Sequence, residues 1–193
     1  GVPVGGARRR GHALPQRAVH SSEFDARLQL PLGTVQQTGG VTVRYVAGTA
    51  ETAASMAAQA ANAAVTVAGL CWDDIDCLVS ASGTMDQAMP SNAALIHHQL
   101  GLTRPIPAFD INASCLGFLM ALDTLSWALN GGQYRRILVV ASDIASCGLD
   151  WQELTTAAIF GDGAAAVVIS SEGPSRILAS LFQTYSEGAH FCE

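Results

Sequence analysis

Charge is what this chain has least of. Only 13% of its 193 residues are Asp, Glu, Lys or Arg, against roughly 25% in an ordinary soluble domain. With 49% of residues hydrophobic, there is ample material for a core and little for a solvated surface. Part of that surface is therefore expected to lie under another domain or subunit. Basic residues are scarcer than acidic ones, and the formal net charge is −6. A nucleic-acid binder needs a basic face to neutralise phosphates, and the one basic run, Arg8-Arg9-Arg10, reads as a solvated end. No apolar stretch reaches the roughly 18 to 20 residues of a membrane span. Gly1 to Gly11 has no apolar signal core. The expectation is a cytoplasmic protein with neither nucleic acid nor membrane as partner.

Paired cysteines are also missing. Cys71, Cys77, Cys115, Cys147 and Cys192 make an odd count with no C-x-x-C spacing, so neither a disulfide framework nor a metal site is indicated. They read by default as reduced, mostly buried thiols. The G-x-S-x-G elbow of an α/β-hydrolase is absent as well. Ala113-Ser114-Cys115-Leu116-Gly117 has Cys at its centre and Ala in place of the first Gly.

What is present is an alternation of helix and strand signals. The first forty residues are rich in Gly, Arg, Gln and Pro and read as irregular, and Val41 to Ala47 as a short strand or extended loop. Glu51 to Val67 is Ala-rich without Gly or Pro and predicts a helix, stopped at Gly69. Ile75 to Ala81, Ile106 to Asn112, Ile137 to Ala141, Ala164 to Ser170 and Ile177 to Gln183 read as strands. Helices fall at Pro90 to Leu100 and Leu116 to Asn130, with a loop over Ser142 to Glu153. The pattern predicts an α/β architecture with a largely parallel sheet.

The helix Leu116 to Asn130 refines that expectation. It carries one charge, Asp123, and apolar residues around its whole circumference, and a helix apolar all round is buried all round. A five-layer α-β-α-β-α sandwich would cover it, yet this chain has strands for only one of the two sheets.

Strand Ile106 to Asn112 runs through Cys115 into that helix. A thiol there meets the unpaired N–H groups and positive dipole end of the first turn. Both favour the thiolate, which is the nucleophile, and the same N–H groups can stabilise the oxyanion formed when a thioester is attacked. Gly117 is expected to leave space beside the sulfur. A small buried hydrophobe is the bland alternative. Gly161-Asp162-Gly163 precedes a strand, where an Asp between glycines more often orders a tight turn through local backbone than takes part in chemistry.

Three segments in order carry a family resemblance. Asp110-Ile-Asn-Ala-Ser-Cys-Leu-Gly-Phe118 resembles the nucleophile segment of β-ketoacyl-acyl-carrier-protein synthase III-type condensing enzymes of the thiolase superfamily. Ile137-Leu-Val-Val-Ala-Ser-Asp143 and Ile159-Phe-Gly-Asp-Gly-Ala-Ala-Ala166 resemble segments that follow it in that family. The resemblance implies the N-terminal half of a duplicated thiolase-like fold over residues 1–193, the first dozen or so irregular. It implies that Cys115 takes the acyl group from a thioester of acyl carrier protein or coenzyme A, without a further cofactor, for a decarboxylating Claisen condensation in fatty-acid or polyketide biosynthesis. The family's catalytic His and Asn come from the C-terminal half; His12, His20, His97, His98 and His190 match neither. The Trp and Arg positions that clamp coenzyme A in relatives fall near Gly33, Gln37 and Leu154 here, so that clamp is lost. Met89 matches a loop that in the family crosses a homodimer interface and helps line the partner's acyl pocket. An acyltransferase on the same fold, or a truncated and catalytically incomplete fragment, are the alternative readings.

Overall fold

A computed structural model describes residues 2–3, 10–173 and 175–190. Arg8, Arg9 and Cys192 lie outside the described residues. In chain order the elements are β1 (Val2–Pro3), β2 (Arg10–Ala13), β3 (Arg17–His20), α1 (Ser21–Arg27), α2 (Thr34–Gly39), β4 (Val43–Val46), α3 (Ala53–Val67), β5 (Cys77–Ser80), α4 (Asn92–Gln99), β6 (Ala108–Asp110), α5 (Gly117–Asn130), β7 (Arg136–Asp143), α6 (Leu154–Ala157), β8 (Gly163–Ser170) and β9 (Arg176–Ile177).

Five strands form the main sheet in the order β2-β8-β7-β5-β6. β5 runs parallel to both β6 and β7, whereas β8 is antiparallel to β7 and to β2. The sheet is thus mixed rather than largely parallel. The reason lies in the connections. β5, β6 and β7 are joined through α4 and α5, which cross a face of the sheet. The chain between β7 and β8 holds only a short 3-10 turn and α6, and it folds straight back along its neighbour.

Side-chain alternation divides the sheet into two apolar faces. Leu78, Leu138, Val140, Ala166 and Val168 pack with α3 and Ile96 of α4. Cys77, Val79, Ile137, Val139 and Ile169 pack with Ala121, Leu125 and Leu129 of α5. α3 reaches the sheet closely because its face is alanine and because β2 offers Gly11. A Cβ there would drive into the Ala60 carbonyl and the Ala64 amide. The Thr52 side chain caps the first turn of α3, and the Asp86 carboxylate takes the N–H groups of Ala53 (2.7 Å) and Ala54 (2.8 Å).

The irregular first forty residues of the sequence reading are a correction: β2, β3, α1 and α2 lie there. Their signals are weak because β2 buries only Gly11 and Ala13 and each strand is four residues long. Ile177 to Gln183 is the opposite correction. Only Arg176–Ile177 pairs, with Val2–Pro3. Beyond it Leu178 (88% exposed) and Leu181 (81% exposed) face outward with no ladder partner among the described residues. No helix is long and apolar enough to cross a membrane among the described residues.

Candidate active site at the carboxyl edge of the parallel strands

The three parallel strands β5, β6 and β7 end on the same edge of the sheet, where open α/β sheets place their ligands. β6 stops at Asp110, whose carboxylate takes the N–H groups of Asn92 (2.9 Å) and Ala93 (2.8 Å) and so holds the start of α4. The chain then turns tightly. The Asn112 side-chain oxygen accepts the Ser114 N–H at 2.8 Å, and Ser114 adopts φ +50, a left-handed conformation that this hydrogen bond helps to hold. The N–H groups of Leu116 and Gly117 reach back to the carbonyls of Ala113 and Ser114, each at 3.0 Å. Cys115 sits on the crest of this turn, two residues before α5, and is exposed. Its own N–H makes no hydrogen bond among the described residues, and remains free to meet a ligand oxygen.

Gly117 has a different use from the one expected. A Cβ there would lie 2.8 Å from the Ala81 carbonyl at the end of β5. The glycine lets the helix start press against that strand, which fixes the height of the cysteine above the sheet edge. The neighbouring turn is tied down by Asp143, the last residue of β7. One oxygen of its carboxylate accepts the N–H groups of Gly83 (2.8 Å) and Thr84 (2.6 Å) and the Thr84 hydroxyl (3.0 Å). Gly83 in turn lies against the Ser114 backbone, 3.7 Å from where its Cβ would be. Asp143 is thus a positioning residue that sequence reasoning did not single out. Its place at the end of one of the three resembling segments was the available signal.

Gly161-Asp162-Gly163 lies elsewhere, before β8. Asp162 is 5% exposed. Its carboxylate accepts the Ala47 N–H (2.7 Å), the Ser146 N–H (2.9 Å) and the Ser146 hydroxyl (2.6 Å). It therefore staples β4 to the turn after β7, across distant backbone rather than the local backbone expected of a tight turn. Gly161 permits that crossing, since a Cβ would stand 3.1 Å from Arg44 Cβ. Met89 is 84% exposed on the loop before α4 and touches none of these groups by hydrogen bond. The expectation of mostly buried cysteines is corrected too. Of the four described, Cys71, Cys115 and Cys147 are exposed and Cys77 alone is buried. Burial pushes the Cys77 thiol up to about 11. Among the described residues no group of His, Cys, Asp and Glu is arranged to hold a metal ion.

A cysteine turn between a parallel strand and an apolar helix, on one mixed sheet with Leu119 and Trp127 of that helix exposed among the described residues, defines one half of a thiolase-like α/β sandwich. Comparison with known proteins places it further. Residues 109–186, which include Cys115 and the Gly161–Gly163 turn, match the family model of 3-oxoacyl-acyl-carrier-protein (ACP) synthase III. The chain is 40% identical over 186 residues to a β-ketoacyl-acyl-carrier-protein synthase III of Agrobacterium fabrum, covering 93% of this chain and 57% of that protein. It superposes on the crystal structure of the Aquifex aeolicus 3-oxoacyl-acyl-carrier-protein synthase III with a TM-score of 0.78 at 31% identity, covering 88% of this chain and 54% of that one. The priming β-ketosynthase of the R1128 polyketide pathway gives a TM-score of 0.77 at 30% identity, over 87% and 49% of the two chains. Over 84% to 93% of its length the chain is similar to β-ketoacyl-acyl-carrier-protein synthase III proteins, and it spans about half the length of the curated relatives it matches.

Proposed function

We propose that this chain is the acyl-accepting half of a decarboxylating condensing enzyme of fatty-acid or polyketide biosynthesis. The observation that carries the reading is Cys115 raised on a rigid turn at the sheet edge, exposed and with a free N–H beside it. The Cys115 thiolate attacks the carbonyl carbon of an acyl thioester of acyl carrier protein or coenzyme A. The new C–S bond pushes the carbonyl electrons onto oxygen, where the Cys115 N–H supports the oxyanion. Collapse breaks the carrier's C–S bond, and the carrier leaves as a thiol with the proton that Cys115 gave up. Condensation then requires a malonyl-type thioester to lose CO2 and its carbanion to attack the acyl-cysteine carbonyl, releasing Cys115.

That second step needs electrophilic donors for the carbanion's thioester oxygen. Neither His12, His20, His97 nor His98 forms a hydrogen bond with Cys115; His97 Nε2 instead lies 3.3 Å from the Arg104 carbonyl. The donors belong to the second half of the fold, and the open flank of α5 is where that half would pack. Met89, outward on its loop, is assigned to the homodimer face of the complete enzyme. The test is a product assay. The 193-residue chain should yield no ketoacyl product, a loss of about a thousandfold or more for several kcal/mol of barrier. A chimera continuing from residue 190 into the second half of the Agrobacterium relative should yield it, and Cys115→Ala should abolish it. Robust ketoacyl product from the 193-residue chain alone would overturn the division of labour.

A further inference from the structure

Ser114 and Gly117, on either side of Cys115, rest on one short segment. Gly117 presses on the Ala81 carbonyl, where a Cβ would lie only 2.8 Å away, and the Ser114 backbone lies 3.7 Å from where a Gly83 Cβ would be. The backbone pairing of β5 ends just there. The Ala81 N–H donates to the Val140 carbonyl at 2.7 Å and the Ile111 N–H to the Ser80 carbonyl at 2.8 Å, and among the described residues the ladder continues on neither side. Residues 82–84 would be free to shift if backbone hydrogen bonds were all that held them.

Side chains continue the pairing to β7 instead. The Ser142 N–H donates to the Ser82 hydroxyl at 2.9 Å. The Asp143 carboxylate takes the Gly83 N–H, the Thr84 N–H and the Thr84 hydroxyl, and its charge strengthens each of these bonds. The same hydroxyl accepts the Ile144 N–H at 3.1 Å, so Thr84 both gives to and takes from the end of β7. Ser82 and Ser142 are buried, where a polar group stranded without its partner costs more than the bond itself contributes. Each of residues 82–84 is thus held from the β7 side, while the segment bears on the Cys115 turn from the other.

We infer that Thr84, acting with Asp143, is a positioning residue for acyl transfer to Cys115. The pair fixes residues 81–84 as a support under the nucleophile turn. That support keeps the Cys115 N–H aimed at the thioester oxygen while the sulfur attacks the carbonyl carbon. Both residues act through the turn rather than on the substrate. Acyl transfer is the step most sensitive to such a support, since misplacing a reacting group by about 1 Å can cost about a hundredfold in rate. Alkylation of the same thiol by iodoacetamide develops no oxyanion, so it needs the sulfur but not the aimed N–H. The inference rests on the acyl-acceptor role proposed above and assigns part of its control to residues on the far side of β5.

Two rates at Cys115 of the 193-residue chain test the assignment: acylation by octanoyl-N-acetylcysteamine and alkylation by iodoacetamide, both read by peptide mass mapping. Thr84→Val keeps the shape, removes the hydroxyl and should slow acylation about tenfold. Asp143→Ala strips three donors of their acceptor and should slow it about a hundredfold. Thr84→Ser restores the hydroxyl and Asp143→Asn an acceptor oxygen, and each should bring acylation to within about threefold of the parent chain. Asp143→Asn and Asp143→Ala lose the same charge, so the difference between them reports geometry. Alkylation of Cys115 should stay within about threefold throughout, and buried Cys77 should stay unlabelled. Acylation unchanged in Thr84→Val and Asp143→Ala overturns the inference and leaves the proposed function standing. Acylation and alkylation falling together, or Cys77 becoming labelled, also overturns it, because the pair then only holds the fold. A parent chain alkylated but never acylated at Cys115 overturns the proposed function, and the inference with it.

Discussion

Helices α3 and α5 are nearly equal in length, flank the same sheet and are both apolar, yet they end in different environments. α3 buries Ala53, Ala54, Met56, Ala57, Ala58, Ala60, Ala61, Ala64 and Val65 between the sheet and α4. α5 buries Gly117, Ala121, Leu125, Ser126 and Leu129 against the sheet and leaves Leu119 (52%) and Trp127 (70%) exposed on its outer side. The segment after β9 touches that side, where the Ser180 hydroxyl donates to Asp123 at 2.5 Å, but its own Leu178 and Leu181 point away. The difference teaches that the chain contains a complete layer on one face of the sheet and an unfinished one on the other.

Substitutions at the tight side should break this contrast most severely. Gly11→Ala forces a methyl into the α3 backbone, and backbone cannot repack as a side chain can. A loss of about 3 kcal/mol or more is expected in a urea melt, and a melt shifted by less than about 0.5 kcal/mol would mean α3 does not sit so close. Next comes a matched pair. Ala60→Gln buries an unpartnered amide where no space exists and should cost about 2–4 kcal/mol. Trp127→Gln should leave stability within about 0.5 kcal/mol, while reducing binding of a hydrophobic dye and the tendency to aggregate. In the chimera that supplies the second half, the same Trp127→Gln should become destabilising, because the face is then buried.

Asp162→Ala removes three hydrogen bonds and strands the N–H groups of Ala47 and Ser146; about 1–3 kcal/mol is expected from thermal melts. The last effect is confined to alkaline pH. Cys77 ionises near 9 in the unfolded chain and near 11 in the fold, because burial disfavours the thiolate. The folded state therefore holds its proton longer. This contribution is complete below pH 9 and is lost as pH rises from about 9 to about 11. Cys77→Ala should flatten that part of the stability profile, and an unchanged slope would show that another group is responsible.

Much of this was legible before the structure. Long segments with clear periodicity, such as Glu51 to Val67, Leu116 to Asn130 and Ile137 to Ala141, appear within one or two residues at most boundaries, since each packs a large, regular apolar face. β2 was hidden because glycine and alanine do its packing. α1 had a usable signal that was passed over: Val19 and Phe24 bracket its start and are buried in one cluster, and Glu23 reaches back to the His20 N–H. The antiparallel return of β8 could not be read, because the connection over residues 144–162 is long enough for a parallel crossover as well as for a return. At the site, position marks Cys115, and the Asn112 support is a local bond to the Ser114 N–H two residues on, whereas the support from Asp143 depends on loops meeting in space.

The most direct measurement is the site of acylation. Incubating the 193-residue chain with octanoyl-N-acetylcysteamine at neutral pH, then mapping peptides by mass spectrometry, should place one octanoyl group on Cys115. Exposed Cys71 and Cys147 should be labelled far more slowly, and Cys115→Ala should remove the rapid phase. Labelling spread evenly over the exposed cysteines, or unaffected by Cys115→Ala, would contradict the assignment of Cys115 as the acyl acceptor.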